Sequence, residues 1–108
     1  MTELASLYRE TDAVGLARLV KKGDVTAAEL LHAALDRVNT TQPLLNFMAQ
    51  DCVDRAQAQL SRPLPDSPLA GVPFLVKDLG INIAGVRTGS GSRYLDHVAA
   101  TNSLFIDR

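Results

Sequence analysis

One apolar run limits the possible folds of this chain more strongly than its other segments. The run ends directly on a charged residue. The run is Val72-Pro73-Phe74-Leu75-Val76, and Lys77 follows it. A strand that is apolar on both faces belongs in the middle of a covered sheet, with other strands paired on either side. The segment LGINIAGV supplies only one or two further candidate strands. We therefore predict an α/β fold in which N-terminal helices precede the first strands of a large mixed central sheet, truncated in this chain.

Composition and charge exclude several classes of function. The 108 residues are 46% hydrophobic and 21% charged, with a net charge of −1. This balance predicts no surface for nucleic acid or for an anionic membrane. The single cysteine, Cys52, has no partner for an internal disulfide, and the chain opens on polar MTELASLYRE. We expect a soluble, cytoplasmic protein without a signal peptide or a membrane span.

The first half of the sequence predicts helices with recognisable ends. Asp12 and Gly23 flank AVGLARLVKK at the positions of an N-cap and a C-terminal glycine. Thr26 and Glu29 fit a capping box at the start of TAAELLHAALDRVN. Pro43 should end that helix, because proline disfavours helical backbone at the residue before it.

A third helix is predicted in DCVDRAQAQLS, with Val53, Ala56 and Leu60 facing inward, and a short one begins at Thr101 or Asn102. Between them, three prolines predict a stiff, extended connector: Pro63, Pro65 and Pro68. We expect residues 1–108 to be the N-terminal portion of a single domain. Residues 1–62 are mainly helical, and residues 63–108 hold the connector, the lysine-bearing strand and a Gly/Ser loop.

Lys77 has two interpretations on these residues alone. On a strand, Lys77 shares a face with Leu75, and an amine held among apolar neighbours favours its neutral form, which can act as a general base. Alternatively, Lys77 and Asp78 simply end the strand in solvent. Spacing alone favours the solvated alternative, because charged residues commonly flank buried strands.

The segment RTGSGSRYL is a loop by composition, and it also has two interpretations. Its candidate residues are Thr88, Gly89, Ser90, Gly91 and Ser92. Their N–H groups and hydroxyls could bind an anion or an oxyanion, or the segment could be a flexible turn, which its composition favours. It lacks the lysine of a phosphate-binding P-loop and the GxGxxG pattern of a dinucleotide site.

Other combinations of reactive residues are weaker. Ser90, Asp96 and His97 have the residue types of a hydrolase triad, but closeness in sequence is not triad geometry. Cys52, His32 and His97 are far apart in sequence and do not form a metal-ligand pattern. We expect neither a metal nor a cofactor.

Three segments together resemble a known family. GVPFLVKD, INIAGVRTGSGS and AAELLHAALDRVNTTQPLLNFM resemble, in order and spacing, the N-terminal part of the amidase signature family. The resemblance runs from about Asp12 to Arg108. It implies an enzyme of amide bonds with a Ser–Ser–Lys triad, in which one serine precedes a cis peptide bond. Lys77 then corresponds to the catalytic base, and Thr88, Gly89 and Ser90 to a supporting loop near the active site.

The chain also departs from the family. The segment that carries the bridging and nucleophilic serines lies downstream in these enzymes, and Ser90 and Ser92 come too soon after Lys77 to replace it. We therefore expect the 108 residues to be inactive alone. The intact protein would hydrolyse a C–N bond of a small amide substrate, or would resemble the A subunit of a glutamine-dependent tRNA amidotransferase. The alternative from another class is a small non-catalytic interaction module that binds a partner, or associates with itself, through an unpaired strand edge or an exposed apolar face.

Overall fold

The computed structural model describes residues 3–108, which divide into two compact units. Unit 1 comprises residues 3–47 and 51–73, and unit 2 comprises Met48–Gln50 and Phe74–Arg108. Among the described residues the elements are α1 (Glu3–Glu10), α2 (Ala13–Lys22), α3 (Ala27–Leu45), α4 (Val53–Gln59), β1 (Arg87–Thr88), β2 (His97–Val98) and α5 (Leu104–Asp107).

Both ends of α2 are those that the sequence predicts. The carboxylate of Asp12 accepts a hydrogen bond from the Gly15 N–H at 2.7 Å. At the other end Gly23 has a φ of 83°, and its N–H donates to the carbonyl of Val20 at 3.1 Å. This left-handed conformation is one that glycine adopts without a steric penalty. The predicted caps of this helix are confirmed.

The capping box at the start of α3 is also confirmed. The Glu29 N–H donates to Thr26 Oγ1 at 3.1 Å, and the Thr26 N–H donates to the Glu29 carboxylate at 2.8 Å. The backbone bond from Thr26, with a smaller contribution from its hydroxyl, holds the pKa of Glu29 below its ordinary value. Two N–H groups that the first turn leaves unpaired are thereby satisfied.

The predicted helix break at Pro43 is wrong, because α3 continues to Leu45. A proline inside a helix removes one backbone hydrogen bond. Here the loss falls in the last turns, and the helix still closes with a bond of 2.8 Å from the Asn46 N–H to the Gln42 carbonyl. The Gln42 side chain also accepts from the Phe47 N–H at 3.0 Å. These bonds fix the end of the helix beyond the proline.

Unit 1 has a small apolar core centred on Leu30, which is fully buried. Leu16 and Val25 complete the buried cluster, and α1 packs against α3. The sequence did not predict α1, since its residues read as a polar opening. Further apolar residues pack on the cluster from α1, α2 and the later chain: Leu4, Leu7, Tyr8, Leu19, Val20 and Val72.

The predicted strand at residues 72–76 is wrong, because this segment has no regular secondary structure. Val72 packs on the core of unit 1, next to Gly71, where a Cβ would lie 3.0 Å from Val20 Cγ1. Phe74 and Leu75 belong to unit 2 and are 70% and 60% exposed. A strand needs neighbours to pair its backbone groups, and no part of residues 3–108 supplies such neighbours for this segment.

Unit 2 is built on a hairpin that the sequence analysis did not identify. Strands β1 and β2 are antiparallel, with Arg87 opposite Val98 and Thr88 opposite His97. The pairing continues irregularly below them, because the Gly85 N–H donates to the Ala99 carbonyl at 2.9 Å. Residues 82–88 therefore run alongside residues 97–103.

An ion pair lies beside the two strands. The Arg87 Nε lies 2.6 Å from both carboxylate oxygens of Asp96, and the two groups form a salt bridge. The hydrogen bond to Arg87 lowers the pKa of Asp96 and, in return, raises the pKa of the guanidinium. The pair ties the end of the 89–96 loop to β1.

The remaining helices are short. In α4, Val53 and Ala56 are half-buried as predicted, whereas Leu60 lies after the helix and is 37% exposed. Helix α5 begins at Leu104 after Ser103, slightly later than the predicted start. No helix of residues 3–108 combines the length and apolar character needed to cross a membrane.

Thr26→Ala should destabilise the protein by about 1 kcal/mol, because it removes the side-chain oxygen that caps α3. The matched control is Thr40→Ala, in which the lost hydroxyl donates to the Asp36 carbonyl within the same helix and caps nothing. We expect this control to be neutral or slightly stabilising, since alanine has the higher helix propensity. Urea unfolding followed by circular dichroism measures both, and equal effects would contradict the capping role.

Asp96→Asn should lower the unfolding midpoint slightly at pH 7, because the folded state lowers the pKa of Asp96 and so stabilises its charged form. That contribution is present above the pKa of the unfolded chain and is lost as the pH falls through the folded pKa. The midpoints of variant and parent should therefore converge at acid pH in a thermal melt. Asp66→Asn removes a fully exposed carboxylate and is the control. A pH-independent difference for Asp96→Asn would contradict this assignment.

Candidate functional site

Lys77 lies in unit 2, on the irregular segment that replaces the predicted strand. Its side chain is exposed, and no ion pair of Lys77 is found among residues 3–108. The predicted packing of the amine among apolar neighbours is therefore not seen in the described part of the chain. In its exposure, Lys77 matches the alternative that spacing alone favoured.

Asp78, the next residue, contacts the Gly/Ser loop through both its side chain and its backbone. Its two carboxylate oxygens accept from the Gly89 N–H at 2.9 and 3.1 Å. Its carbonyl accepts from the Ser90 N–H at 3.0 Å. The chain directly after Lys77 is thus attached to two consecutive residues of the loop.

The loop itself is a tight turn. The Ser92 N–H donates to the Gly89 carbonyl at 2.9 Å, and the two residues between them, Ser90 and Gly91, have φ values of 53° and 66°. Two successive positive φ values are those of a type I′ turn. Three N–H groups of the loop, those of Gly89, Ser90 and Ser92, therefore have acceptors within the chain. The structure favours the turn interpretation over an oxyanion site for these amides.

The three predicted loop residues have different environments. Gly89 and Ser90 lie beside Asp78, whereas Thr88 is on β1 with only 4% of its surface exposed. Thr88 pairs with His97 across the small sheet. The structure therefore brings Gly89 and Ser90 next to the lysine-bearing segment, and it makes Thr88 part of the interior of unit 2.

A shallow, open depression of about 250 Å³ adjoins the turn. Among its lining residues are Asp78, Gly89, Gly91, Ser92, Arg87 and Arg93. All of these residues belong to unit 2. The turn that Asp78 binds thus forms part of a concave surface. Lys77 is adjacent to this surface in sequence, because it directly precedes Asp78.

The candidate hydrolase triad is not assembled. The carboxylate of Asp96 is paired with Arg87, and His97 Nδ1 lies 3.1 Å from the Leu95 carbonyl. Among the described residues, no hydrogen bond joins Ser90 to Asp96 or His97. His32 instead lies 3.6 Å from Asp36 on α3, and residues 3–108 contain no group of three His, Cys, Asp or Glu side chains arranged around a metal.

Sequence reasoning treated Asp78 only as a charge at the end of a strand. Its contacts join residues 78 and 89, and spacing along the chain does not indicate such a pair. One signal was present, because a glycine at position 89 is consistent with close approach of another group. A Cβ at Gly89 would lie 3.0 Å from Asp78 Oδ2.

Comparison with known proteins covers most of the chain. The amidase family profile matches residues 29–108. The chain is 41% identical over 88 residues to the A subunit of the glutamyl-tRNA(Gln) amidotransferase of Deinococcus radiodurans, an alignment that covers 77% of this chain and 18% of that protein. It is 31% identical over 100 residues to the 6-aminohexanoate-cyclic-dimer hydrolase of Pseudomonas sp. strain NK87, covering 90% of this chain and 20% of the relative.

A third relative is the lipoamidase of Enterococcus faecalis, which is 33% identical over 102 residues, or 92% of this chain and 14% of the relative. No solved structure matches. The chain spans about a fifth of the length of the first two relatives. The matched region includes Lys77, Asp78 and the turn that contacts Asp78. The family profile covers well over half of the sequence, and the chain therefore belongs to the amidase family.

Proposed function

We propose that this chain is the lysine-bearing N-terminal portion of an amidase, and that Lys77 is the base of its Ser–Ser–Lys triad. The observation that carries the proposal is the family match over residues 29–108, which contains the GVPFLVKD segment. The small share of each relative that the chain spans supports the view that the serines lie in further sequence.

In this mechanism the Lys77 amine accepts a proton from the bridging serine, which takes one from the nucleophilic serine. The nucleophilic oxygen then attacks the amide carbonyl, and the C–N bond breaks as a proton returns to the leaving amine. Water, or another acceptor, completes the reaction by attacking the acyl-enzyme. Within this chain, the contribution to chemistry is the proton transfer at Lys77 Nζ.

The proposed substrate is a small molecule with a non-peptide carboxamide bond. Two relatives are named for hydrolysis of amides, a cyclic-dimer hydrolase and a lipoamidase. Another is named as part of an amidotransferase for glutamyl-tRNA(Gln). We propose that the reaction common to these relatives is cleavage of a C–N bond. Hydrolysis of an amide is therefore the first activity to assay, and transfer of the released ammonia to an acceptor is the second. We propose that the 108 residues without the serines are inactive.

The test of this proposal is Lys77→Ala in the protein expressed from its complete reading frame. Loss of a general base should reduce kcat/KM for release of ammonia from small carboxamides by about 10²–10⁴-fold. Lys21→Ala is the matched control, because Lys21 is an exposed lysine of α2 at 3.9 Å from Asp66. The control should keep the parent rate, and circular dichroism should show that both variants fold. Parent-like turnover by Lys77→Ala would overturn the proposal.

A second candidate, a module that associates with another copy of itself, is favoured by exposed apolar side chains in unit 2. Among them are Phe74, Leu75, Leu79, Leu104 and Phe105. The strand edge expected to mediate association is not formed at residues 72–76, so any association there would use side chains. An exposed apolar group of this kind is common at protein interfaces.

Sedimentation of the 108-residue chain tests self-association. If the second candidate is correct, the average mass should rise with concentration. Phe74→Asp should abolish the rise by placing a charge beside Phe105, whose ring centroid lies 5.9 Å from that of Phe74. Leu44→Asp is the matched control, because Leu44 is 83% exposed but belongs to unit 1. A mass that stays at the monomer value at every concentration would exclude this candidate.

A further inference from the structure

We infer that Asp78 is a positioning residue for Lys77, and that it acts by holding the Gly89–Ser92 turn. The inference rests on the proposed role of Lys77 as the base. It concerns how this chain fixes the lysine in place, and it assigns a function to Asp78, a residue that the sequence analysis gave no role beyond ending a strand.

Asp78 binds the turn through several hydrogen bonds at once. It accepts the Gly89 N–H with its carboxylate and the Ser90 N–H with its carbonyl, at distances between 2.9 and 3.1 Å. Hydrogen bonds to a charged acceptor are stronger than neutral ones. Two consecutive N–H groups of the turn therefore donate to one residue, that of Gly89 to the carboxylate and that of Ser90 to the backbone carbonyl.

The space at Gly89 is limited by the same carboxylate. A Cβ at this position would lie 3.0 Å from Asp78 Oδ2, so a larger residue would require the carboxylate to move by a few tenths of an ångström. The φ of Gly89 is not in the left-handed region, and the requirement for glycine is therefore one of close approach. Asp78 and Gly89 fit each other sterically as well as electrostatically.

The backbone around the lysine has little other support. Residues 72–76 form no strand, and among residues 3–108 no backbone-to-backbone hydrogen bond of residues 73–77 is found. Asp78 follows Lys77 directly, about 3.8 Å away from Cα to Cα. The bonds of Asp78 are thus the nearest fixed points on the C-terminal side of the lysine. Without them, the lysine backbone would be free to shift relative to the turn.

The contact can be tested without any assay of activity. Gly89 is the only glycine of this sequence that follows a threonine. Labelling with ¹³C-carbonyl threonine and ¹⁵N-glycine therefore selects its amide in the NMR spectrum of the chain. Asp78→Ala should accelerate hydrogen exchange of this amide by at least about tenfold, because a bond to a charged acceptor is lost. Asp66→Ala, which removes a fully exposed carboxylate in unit 1, is the matched control and should leave exchange unchanged.

The positioning role is tested by kinetics in the protein expressed from its complete reading frame. Asp78→Ala should lower kcat by up to about 100-fold, since small displacements of a catalytic group have effects of this size. KM should change by less than about threefold. Asp78→Asn should restore part of kcat, because its amide oxygen can still accept from the Gly89 N–H. Asp66→Ala should keep the parent values.

Three results would overturn the inference. Unchanged exchange at Gly89 in Asp78→Ala would show that the contact does not form, and an unchanged kcat would show that it does not position the base. A rise in KM with kcat preserved would assign Asp78 to substrate binding instead. The lysine assignment is judged separately by Lys77→Ala, so loss of activity there with a normal kcat in Asp78→Ala would refute only the positioning role.

Discussion

Backbone N–H groups of unit 2 depend on side-chain oxygens for their hydrogen bonds. The Asn82 N–H donates to Ser103 Oγ at 2.8 Å, the Ala84 N–H to Asn102 Oδ1 at 2.7 Å, and the Gly89 N–H to Asp78. A short sheet cannot pair all the backbone groups of a connected segment, and unpaired buried groups are costly. Polar side chains at these positions take over the role that neighbouring strands have in a larger sheet.

In unit 1 the backbone groups find their hydrogen-bond partners mainly within the helices. Its helices pair their backbone groups internally, and ends of α2 and α3 are capped by Asp12, Thr26 and Gly23. The apolar side chains are then free to pack, and Leu30 is completely buried by them. Burial of this core is the main source of stability that unit 1 has, because isolated helices of these lengths are at best marginally stable in water.

The way in which unit 2 pairs its backbone groups affects the proposed role of Lys77. Lys77 lies near the start of the longer segment of unit 2, four residues after Pro73, where unit 1 ends. The segment around it has neither the internal bonds of a helix nor the pairing of a strand, and the contacts of Asp78 restrict it from one side. A catalytic base needs a fixed position more than it needs a stable local structure. In the proposal that Lys77 is the base, the Asp78–Gly89 contact would help to fix that position.

Features that depend on neighbouring residues could be predicted from the sequence. The caps of α2 and the capping box of α3 were predicted correctly, because each involves residues within one turn of a helix. The family was also identified from segments around Lys77, and the family profile confirms it. Lys77 could be located within the GVPFLVKD segment from the sequence alone.

The positions of the apolar run and of the loop residues depend on the folded chain as a whole. The run at residues 72–76 has the composition of a strand, but strand pairing requires partners that are absent from residues 3–108. Pro43 falls where the remaining bonds of α3 outweigh one missing bond. The contact between Asp78 and Gly89 joins two residues through a fold of the chain back on itself. Local propensity and spacing carry no information about such a contact, because neither specifies which separated segments meet.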